Sequence, residues 1–341
     1  MRLAVRLIAT IPVFLILLGA EAIARLEFRL RHGYSFDESF VYVPDRELIF
    51  VNNPKSHVYS HRRSRRYGPF FISPPRDDER QRILVLGGST SKALPDGSDW
   101  PAVFERLATE DQPIAVVNMG HDGYGTGQIR WLYRHYREEI KPRGIIVFEG
   151  WNYRGVLTSR LGYRPVNACS SFDSRVQCVS ASLINHSSAY SRVFHVFSRL
   201  AEPECRKPEP YGEMREWFEE FHEVIKEMQQ RDEVFLVLFP GLVMRDDIRP
   251  LVAERFPCIA KHFDVHRAEY QARIVAIKRI AHLLGVPILD ARPAYAMLTP
   301  HQHIQHFFDR AHQTAEGNRL LGETLYREFR AWSRRVSVPA K

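Results

Sequence analysis

The chain has 341 residues, of which 45% are hydrophobic and 26% are charged, and its formal net charge is +8. These fractions are ordinary for a globular protein, so they exclude a globally disordered chain, and the length allows one large domain with appendages. Part of the positive charge is a basic run at positions 61–66. Such runs usually form solvated loops, although a basic run can also bind anionic lipid or anionic glycan. No nucleic-acid-binding motif accompanies this one, which disfavours a nucleic-acid partner.

The first 30 residues have the pattern of a membrane anchor or a signal segment. Residues 7–20 carry no charge and are mainly aliphatic, and Arg2 and Arg6 precede them. Extended to residue 24, the run approaches the ~20 residues that a spanning helix needs, which favours an anchor. A cleaved signal peptide is the alternative, because residues 20–22 have the spacing of a cleavage site. Either interpretation predicts a folded part outside the cytoplasm, in the periplasm or outside the cell.

The remainder of the chain predicts one large domain. Residues 31–78 show no clear period and predict an irregular extension, whereas residues 79–335 alternate between apolar runs and amphipathic segments, and residues 336–341 form a tail. Strands are predicted at 82–87, 114–118, 144–149, 234–239 and 286–290. This alternation predicts an α/β fold, a three-layer sandwich whose mostly parallel sheet has helices on both faces.

Two helices are clear in the second half of this domain. Across residues 211–231 apolar side chains recur every three or four residues and glutamates fill the other face, which is typical of a helix packed on a sheet. A second helix spans about 267–284 and ends before Gly285. An insertion at about 154–210 is expected to shape a pocket, because segments at the carboxyl ends of strands commonly do so.

The four cysteines are compatible with an exported protein. Cys169 and Cys178 could close a short loop inside the insertion, and Cys205 and Cys258 could form a second pair, although pairing cannot be deduced from sequence. Four reduced thiols are the alternative. No Cys-x-x-Cys motif occurs, which disfavours a zinc ribbon.

A candidate nucleophile follows the first predicted strand. The apolar run at 83–86 ends in Gly87 and Gly88, and Ser89 comes next. A tight turn there would hold the Ser89 hydroxyl at the carboxyl end of a buried strand, where ligands of open α/β sheets bind. Ser91 is the alternative nucleophile, but it lies where a serine often caps a helix.

A candidate base lies near the other end of the chain. A serine hydroxyl needs an imidazole to take its proton and a carboxylate to orient that imidazole. Asp309 and His312 are three residues apart, just before a helical segment, so a single turn of backbone could place them side by side. We therefore expect His312 to act as the base and Asp309 to orient it.

Candidate donors for an oxyanion follow the next two strands. Gly123 lies in a glycine-rich turn after the second strand, and Asn152 follows the third. The backbone N–H groups of Gly123 and Ser89, together with the Asn152 side-chain amide, are the donor types that a tetrahedral intermediate requires. Glycine and asparagine also commonly shape turns without any further role.

In chain order, these four segments resemble the four sequence blocks of the SGNH (GDSL-type) hydrolases, and the resemblance covers roughly residues 79–335. With the N-terminal segment, the chain resembles a membrane-anchored bacterial-type member of that family. Ser89 matches the nucleophile of that family, Gly123 and Asn152 match its oxyanion donors, and Asp309 and His312 match its last block. The resemblance implies an SGNH, flavodoxin-like fold and Ser-His-Asp catalysis on an O-acyl ester. It implies no cofactor and no metal.

The resemblance also implies that the substrate is an ester-bearing small molecule or glycan. An O-acetyl ester is expected first, and surface polysaccharide is one candidate carrier of it. Gly88 and Tyr153 depart from the family, which often has an aspartate at both positions. Two alternatives stay open: an O-acyltransferase with the same site, and a non-catalytic, membrane-tethered glycan-binding or assembly protein.

Other motifs are weaker. The glycines at 120–127 miss the dinucleotide spacing, because Gln128 stands where a glycine is required, and residues 88–92 lack the order of a phosphate-binding loop. Four histidines are close in sequence: His301, His303, His306 and His312. No His-Glu-x-x-His pattern accompanies them, so a metal site is not expected.

Overall fold

The computed structural model describes residues 2–33, 35, 42–45, 49–52, 66–67, 71–72, 79–94, 96–149, 152 and 214–336. The chain forms two compact units, one from residues 1–63 and 157–203 and the other from residues 64–156 and 204–341. Several predictions lie outside the described residues: the insertion at about 154–210, three of the four cysteines, Tyr153, the tail from residue 337, and the basic run except Arg66.

The described part of the first unit consists of one helix and one hairpin. Helix α1 runs over Arg2–His32, and strand β1 (Tyr42–Asp45) pairs antiparallel with β2 (Ile49–Asn52). Side chains of α1 are described from Leu15 onward, and within the described part of the chain no helix is apolar over a length sufficient to cross a membrane. The predicted membrane-spanning segment therefore finds no support there.

The second unit is built on one sheet. Its described strands are β3 (Arg66–Tyr67), β4 (Phe71–Ile72), β5 (Gln81–Gly87), β6 (Ile114–Asn118), β7 (Gly144–Phe148), β8 (Glu233–Leu238) and β9 (Ile288–Asp290). They lie in the order β3-β4-β6-β5-β7-β8-β9, and the pairings from β6 through β9 are parallel. The short strands β3 and β4 add an antiparallel edge beside β6.

The helices of this unit cover both faces of the sheet. They are α2 (Trp100–Asp111), α3 (Thr126–Ile140), α4 (Met214–Gln229), α5 (Arg249–Arg255), α6 (Pro257–Lys261), α7 (Phe263–Leu284), α8 (Arg292–Ala296), α9 (Pro300–Gln305) and α10 (Ala315–Val336). Helices α2 and α10 pack on each other and against β6 and β9, whereas α3, α4 and α7 contact β5 and β8. Every residue of β6 and β7 is buried, as expected for parallel strands covered on both sides.

The predicted fold class is confirmed. The five parallel strands occur within one or two residues of their predicted positions, and α4 buries the apolar stripe that the sequence pattern placed on a helix. Helix α7 ends where Gly285 adopts a φ of +66°, a left-handed conformation that glycine tolerates well. Strands β1 to β4 correct the prediction of an irregular extension over residues 31–78 at the positions that they occupy.

Candidate active site

The nucleophile turn follows β5 directly. The strand ends at Gly87, and a 3₁₀ turn over Ser89–Ser91 begins after Gly88. A Cβ atom on Gly87 would lie 2.6 Å from the Phe148 carbonyl oxygen and 2.7 Å from Ser91 Oγ, so only glycine fits there. The turn leaves Ser89 half-buried at the carboxyl end of the strand, as predicted.

Asn118, on the neighbouring strand β6, holds this turn in place with two side-chain hydrogen bonds. Its side-chain amide donates to the Ser91 carbonyl at 2.9 Å, and its Oδ1 accepts from the Gly120 N–H at 2.9 Å. A Cβ atom on Gly120 would overlap the Ser91 backbone, so the two segments approach as closely as the chain permits. The sequence placed Asn118 at a strand end but did not reveal this role.

Ser89, His312 and Asp309 form a continuous hydrogen-bonded chain. His312 Nε2 lies 2.6 Å from Ser89 Oγ, and His312 Nδ1 lies 2.7 Å from Asp309 Oδ2. With the imidazole proton on Nδ1, that proton is donated to Asp309, and Nε2 accepts the Ser89 hydroxyl proton. The structure therefore brings together three residues that were predicted from two segments more than 200 positions apart.

Backbone donors fix the Asp309 carboxylate. Asp309 Oδ1 accepts from the N–H of Ala311 at 2.7 Å and from the N–H of His312 at 2.8 Å. Burial would raise the pKa of Asp309, but the hydrogen bond and charge attraction to His312 outweigh burial and hold that pKa below its usual range. Asp309 is thus an anion at neutral pH.

The same partnership controls the base. Burial lowers the pKa of His312, but the hydrogen bond to Asp309 and the Asp309 charge outweigh burial, and the net pKa is raised above its usual value. An imidazole with a raised pKa accepts a proton from a hydroxyl more readily, which is what a general base requires.

Two of the three predicted oxyanion donors, Gly123 and Asn152, belong to segments that adjoin the nucleophile turn. The Asn152 side-chain amide donates to the Tyr124 carbonyl at 3.0 Å, and this bond uses one of its two hydrogens. The same amide nitrogen occupies the space where Gly88 would carry a Cβ atom. Gly123, which precedes Tyr124, has a φ of +71° in the adjacent loop.

The structure separates the two candidate serines. Ser91 is fully buried, and its Oγ makes no hydrogen bond within the described part of the chain. Ser89 is the serine that is paired with the imidazole.

Two of the clustered histidines have structural partners. His303 Nε2 lies 3.1 Å from the Leu242 carbonyl, and His306 Nδ1 lies 2.6 Å from the Gln302 carbonyl. No group of three metal-ligating side chains occurs among the described residues. His312 belongs to the chain with Ser89 and Asp309 instead.

A buried charged network anchors the loop that carries Asp309 and His312. Arg310 donates to Glu269 Oε2 at 3.0 Å, and Glu269 Oε1 accepts from Arg273 at 3.0 Å. Both Glu269 and Arg273 lie on α7 and are buried. This network was not predicted from the sequence; the available signal was a Glu and an Arg four residues apart on the buried face of a helix.

The chain is similar to several solved structures at low sequence identity. No family model matches the chain, and no curated protein does. A lipase/acylhydrolase from Enterococcus faecalis is 16% identical, with 74% of this chain and 96% of that chain covered and a TM-score of 0.43. The acetylxylan esterase Axe2 from Geobacillus stearothermophilus is 15% identical, with 73% and 93% covered and a TM-score of 0.44. The acetyl xylan esterase AlAXEase is 13% identical, with 72% and 98% covered and a TM-score of 0.42.

Proposed function

We propose that the chain is an SGNH-type serine hydrolase that cleaves an O-acyl ester. The observation that carries this proposal is the chain of hydrogen bonds from Ser89 through His312 to Asp309, at 2.6 and 2.7 Å. A nucleophile, a base and an orienting carboxylate within hydrogen-bond reach are the geometric requirement of serine catalysis. The proposed chemistry needs no cofactor and no metal.

In the acylation step, Ser89 Oγ attacks the acyl carbonyl carbon while His312 Nε2 takes the hydroxyl proton. Asp309 stabilises the imidazolium that forms and holds its tautomer. The C–O bond to the alcohol then breaks as His312 returns the proton to the leaving oxygen. The acyl group remains on Ser89 as an ester.

The tetrahedral intermediate carries a negative charge on oxygen. In this proposal, that oxygen accepts hydrogen bonds from the backbone N–H groups of Ser89 and Gly123 and from the remaining amide hydrogen of Asn152. Each such donor is worth roughly 3–4 kcal/mol of transition-state stabilisation. Water, activated by His312, then attacks the acyl-enzyme and releases the carboxylic acid.

The test is hydrolysis of a short-chain aryl acetate by the full chain, purified in detergent. Ser89→Ala should abolish turnover, whereas the matched variant Ser91→Ala should retain it, because Ser91 Oγ touches no group of the proposed reaction. Absence of turnover in the parent, or equal turnover in Ser89→Ala, would refute hydrolysis at this serine. Turnover that appears only when a sugar alcohol is added would indicate an acyltransferase.

For the substrate, we infer an O-acetyl group on a glycan, an extension that rests on the family resemblance of the sequence blocks. Acetate release from partially acetylated oligosaccharides, compared with release from the same oligosaccharides acylated with longer chains, tests it. Equal rates for acetyl and longer acyl groups would contradict an O-acetyl preference.

For location, we propose that the catalytic domain works outside the cytoplasm. An uncharged run at residues 7–20 follows two arginines, and Cys258 is disulfide-bonded, a state that persists in oxidising compartments. The three other cysteines lie outside the described residues. Protease accessibility of the domain in intact cells and in lysed cells is the direct measurement. If the domain stayed protected from the protease in cells whose outer membrane or wall is permeabilised and whose cytoplasmic membrane is intact, this location would be contradicted.

A further inference from the structure

The loop that carries Gly123 is a tight turn with a demanding geometry. The Tyr124 N–H donates to the His121 carbonyl at 3.2 Å, which closes a four-residue turn with Asp122 and Gly123 at its centre. The positive φ of Gly123 is the feature that a type II turn requires at this position. The His121 and Tyr124 rings stack at 4.3 Å across the turn.

The direction of the Gly123 N–H is set by Asp122. This N–H belongs to the peptide plane between the two residues, so rotation about the backbone of Asp122 would turn it toward or away from the nucleophile. Type I and type II turns differ by such a rotation. A contact that holds Asp122 in place therefore also holds the proposed oxyanion donor.

Lys92 makes that contact from the nucleophile turn. Its N–H donates to the Ser89 carbonyl at 3.2 Å, its backbone forms a bridge with Gly120, and its Nζ lies 2.5 Å from Asp122 Oδ2. The two side chains are only 24% and 30% exposed, so solvent screens this pair less than an ordinary surface pair.

We propose that the ion pair between Lys92 and Asp122 is a positioning device for the reaction proposed above, on which this inference rests. The pair ties the turn that carries the Gly123 N–H to the turn that carries Ser89, and it balances a positive and a negative charge beside the His312 imidazole. Neither side chain takes part in bond making or breaking.

The electrostatics of His312 agree with this arrangement. The charged groups that act on its imidazole are Asp309 in its own loop, Asp122 in the turn after β6 and Lys92 in the turn after β5. Asp122 raises the pKa of His312 and Lys92 lowers it. His121, which also adjoins Asp122, stays neutral at pH 7, because burial lowers its pKa to about 4.

The test compares Asp122→Asn and Lys92→Met in the full chain. In the pH profile of kcat/KM, the acid limb is the fall in rate as His312 becomes protonated. Its midpoint should move to lower pH in Asp122→Asn and to higher pH in Lys92→Met, each by roughly half a pH unit. On the plateau, both variants should lose about tenfold in kcat with little change in KM, because the Gly123 donor acts on the transition state.

The exchanged pair, Lys92→Asp with Asp122→Lys, restores the tie and should recover part of that kcat. Glu219→Gln is the matched control: it breaks an exposed ion pair with Arg215 on α4 and should change neither the pH limb nor kcat. Loss of thermal stability in the single variants with an unmoved pH limb and unchanged kcat would overturn the proposal.

A second readout keeps this inference separate from the proposed function. The His312 ring is titrated by NMR in the parent and in both single variants, with His312→Gln used for assignment. Opposite shifts of the His312 ring pKa in the two variants support the electrostatic part of this inference, whether or not the parent hydrolyses an ester. Absence of ester hydrolysis in the parent would refute only the proposed function. Equal ring pKa values in all three proteins overturn the inference.

Discussion

Gly88 leaves the space that the Asn152 side-chain amide occupies. A Cβ atom on Gly88 would overlap Asn152 Nδ2 and would lie 3.1 Å from the Tyr124 carbonyl, which accepts the Asn152 hydrogen bond. Gly88 is also one of the two positions at which the sequence departs from the SGNH pattern of an aspartate. The departure thus has a local reason: a larger residue at this position would displace a proposed oxyanion donor.

Gly88→Ala should therefore reduce catalysis more than stability. Displacement of the Asn152 amide removes one donor to the tetrahedral intermediate, so we expect kcat to fall by about 10²–10³. The measurement is kcat on an aryl acetate beside the midpoint of thermal unfolding.

Gly127→Ala is the matched control for this variant. Gly127 lies in the first turn of α3, where a Cβ atom would make only ordinary contact, at 3.6 Å, with a Glu220 oxygen. Alanine favours a helix over glycine, so this variant should keep its kcat and gain slightly in stability. Equal kcat in Gly88→Ala and the parent would contradict a role for the Asn152 amide.

Asn118→Ala should affect both stability and turnover. The substitution leaves the Ser91 carbonyl and the Gly120 N–H without the partner that now satisfies them, at a cost of about 1–3 kcal/mol for the buried carbonyl and less for the partly buried N–H. The nucleophile turn also loses its tie to β6, so kcat should fall by at least tenfold, measured beside urea unfolding.

Val116→Ala separates the two effects. Val116 is buried on the same strand and pairs with Ile83, which precedes the nucleophile turn, so its truncation should destabilise the fold while leaving kcat unchanged. If the two variants lost stability and activity in the same proportion, Asn118 would be a structural residue only.

The parts of the structure that the sequence predicts are those with short-range signals. A continuous apolar run marks a strand buried on both faces, and a glycine pair after it marks the turn that presents Ser89. Asp309 and His312 are three residues apart, so their contact is nearly local. These signals do not depend on knowing which segments meet in space.

The parts of the structure that the sequence does not predict depend on long-range contacts or on segments too short to show a periodic pattern. Arg310 and Glu269 are 41 residues apart, and no pattern in the sequence indicates that these two side chains meet. Strands β3 and β4 have two residues each, too few for a strand pattern, and gain their definition from pairing at the sheet edge. The ion pair between Lys92 and Asp122 likewise forms only when folding brings the turn after β5 next to the turn after β6.

The raised pKa of His312 gives a pH prediction with a definite sign. Because Asp309 holds the imidazole protonated to higher pH, the free base is lost earlier as pH falls, and the acid limb of kcat/KM should have its midpoint above about 6.5. In Asp309→Asn the burial that lowers this pKa remains while the compensating charge is gone, so the midpoint should move down. The plateau should fall by up to about 10⁴. An unmoved midpoint would show that another group controls the limb.

Glu269→Gln tests whether the buried network supports the catalytic loop. Glu269 lies between Arg310 and Arg273, and the Arg273 side chain is only 1% exposed. Neutralising the carboxylate breaks the buried ion pair between Glu269 and Arg273, and loss of one partner of such a pair costs about 3–5 kcal/mol. The free energy of unfolding from urea denaturation measures this loss directly.

The same variant should also reduce activity below the unfolding transition. Arg310 directly follows Asp309, so a released Arg310 loosens the loop that aligns the carboxylate with His312. Glu323→Gln, which removes an exposed pair with Arg319 on α10, is the control and should cost no more than about 0.5 kcal/mol. A Glu269→Gln protein that is destabilised yet fully active at low temperature would restrict the network to a structural role. A loss of kcat in the folded variant would instead show that α7 helps to position Asp309 and His312.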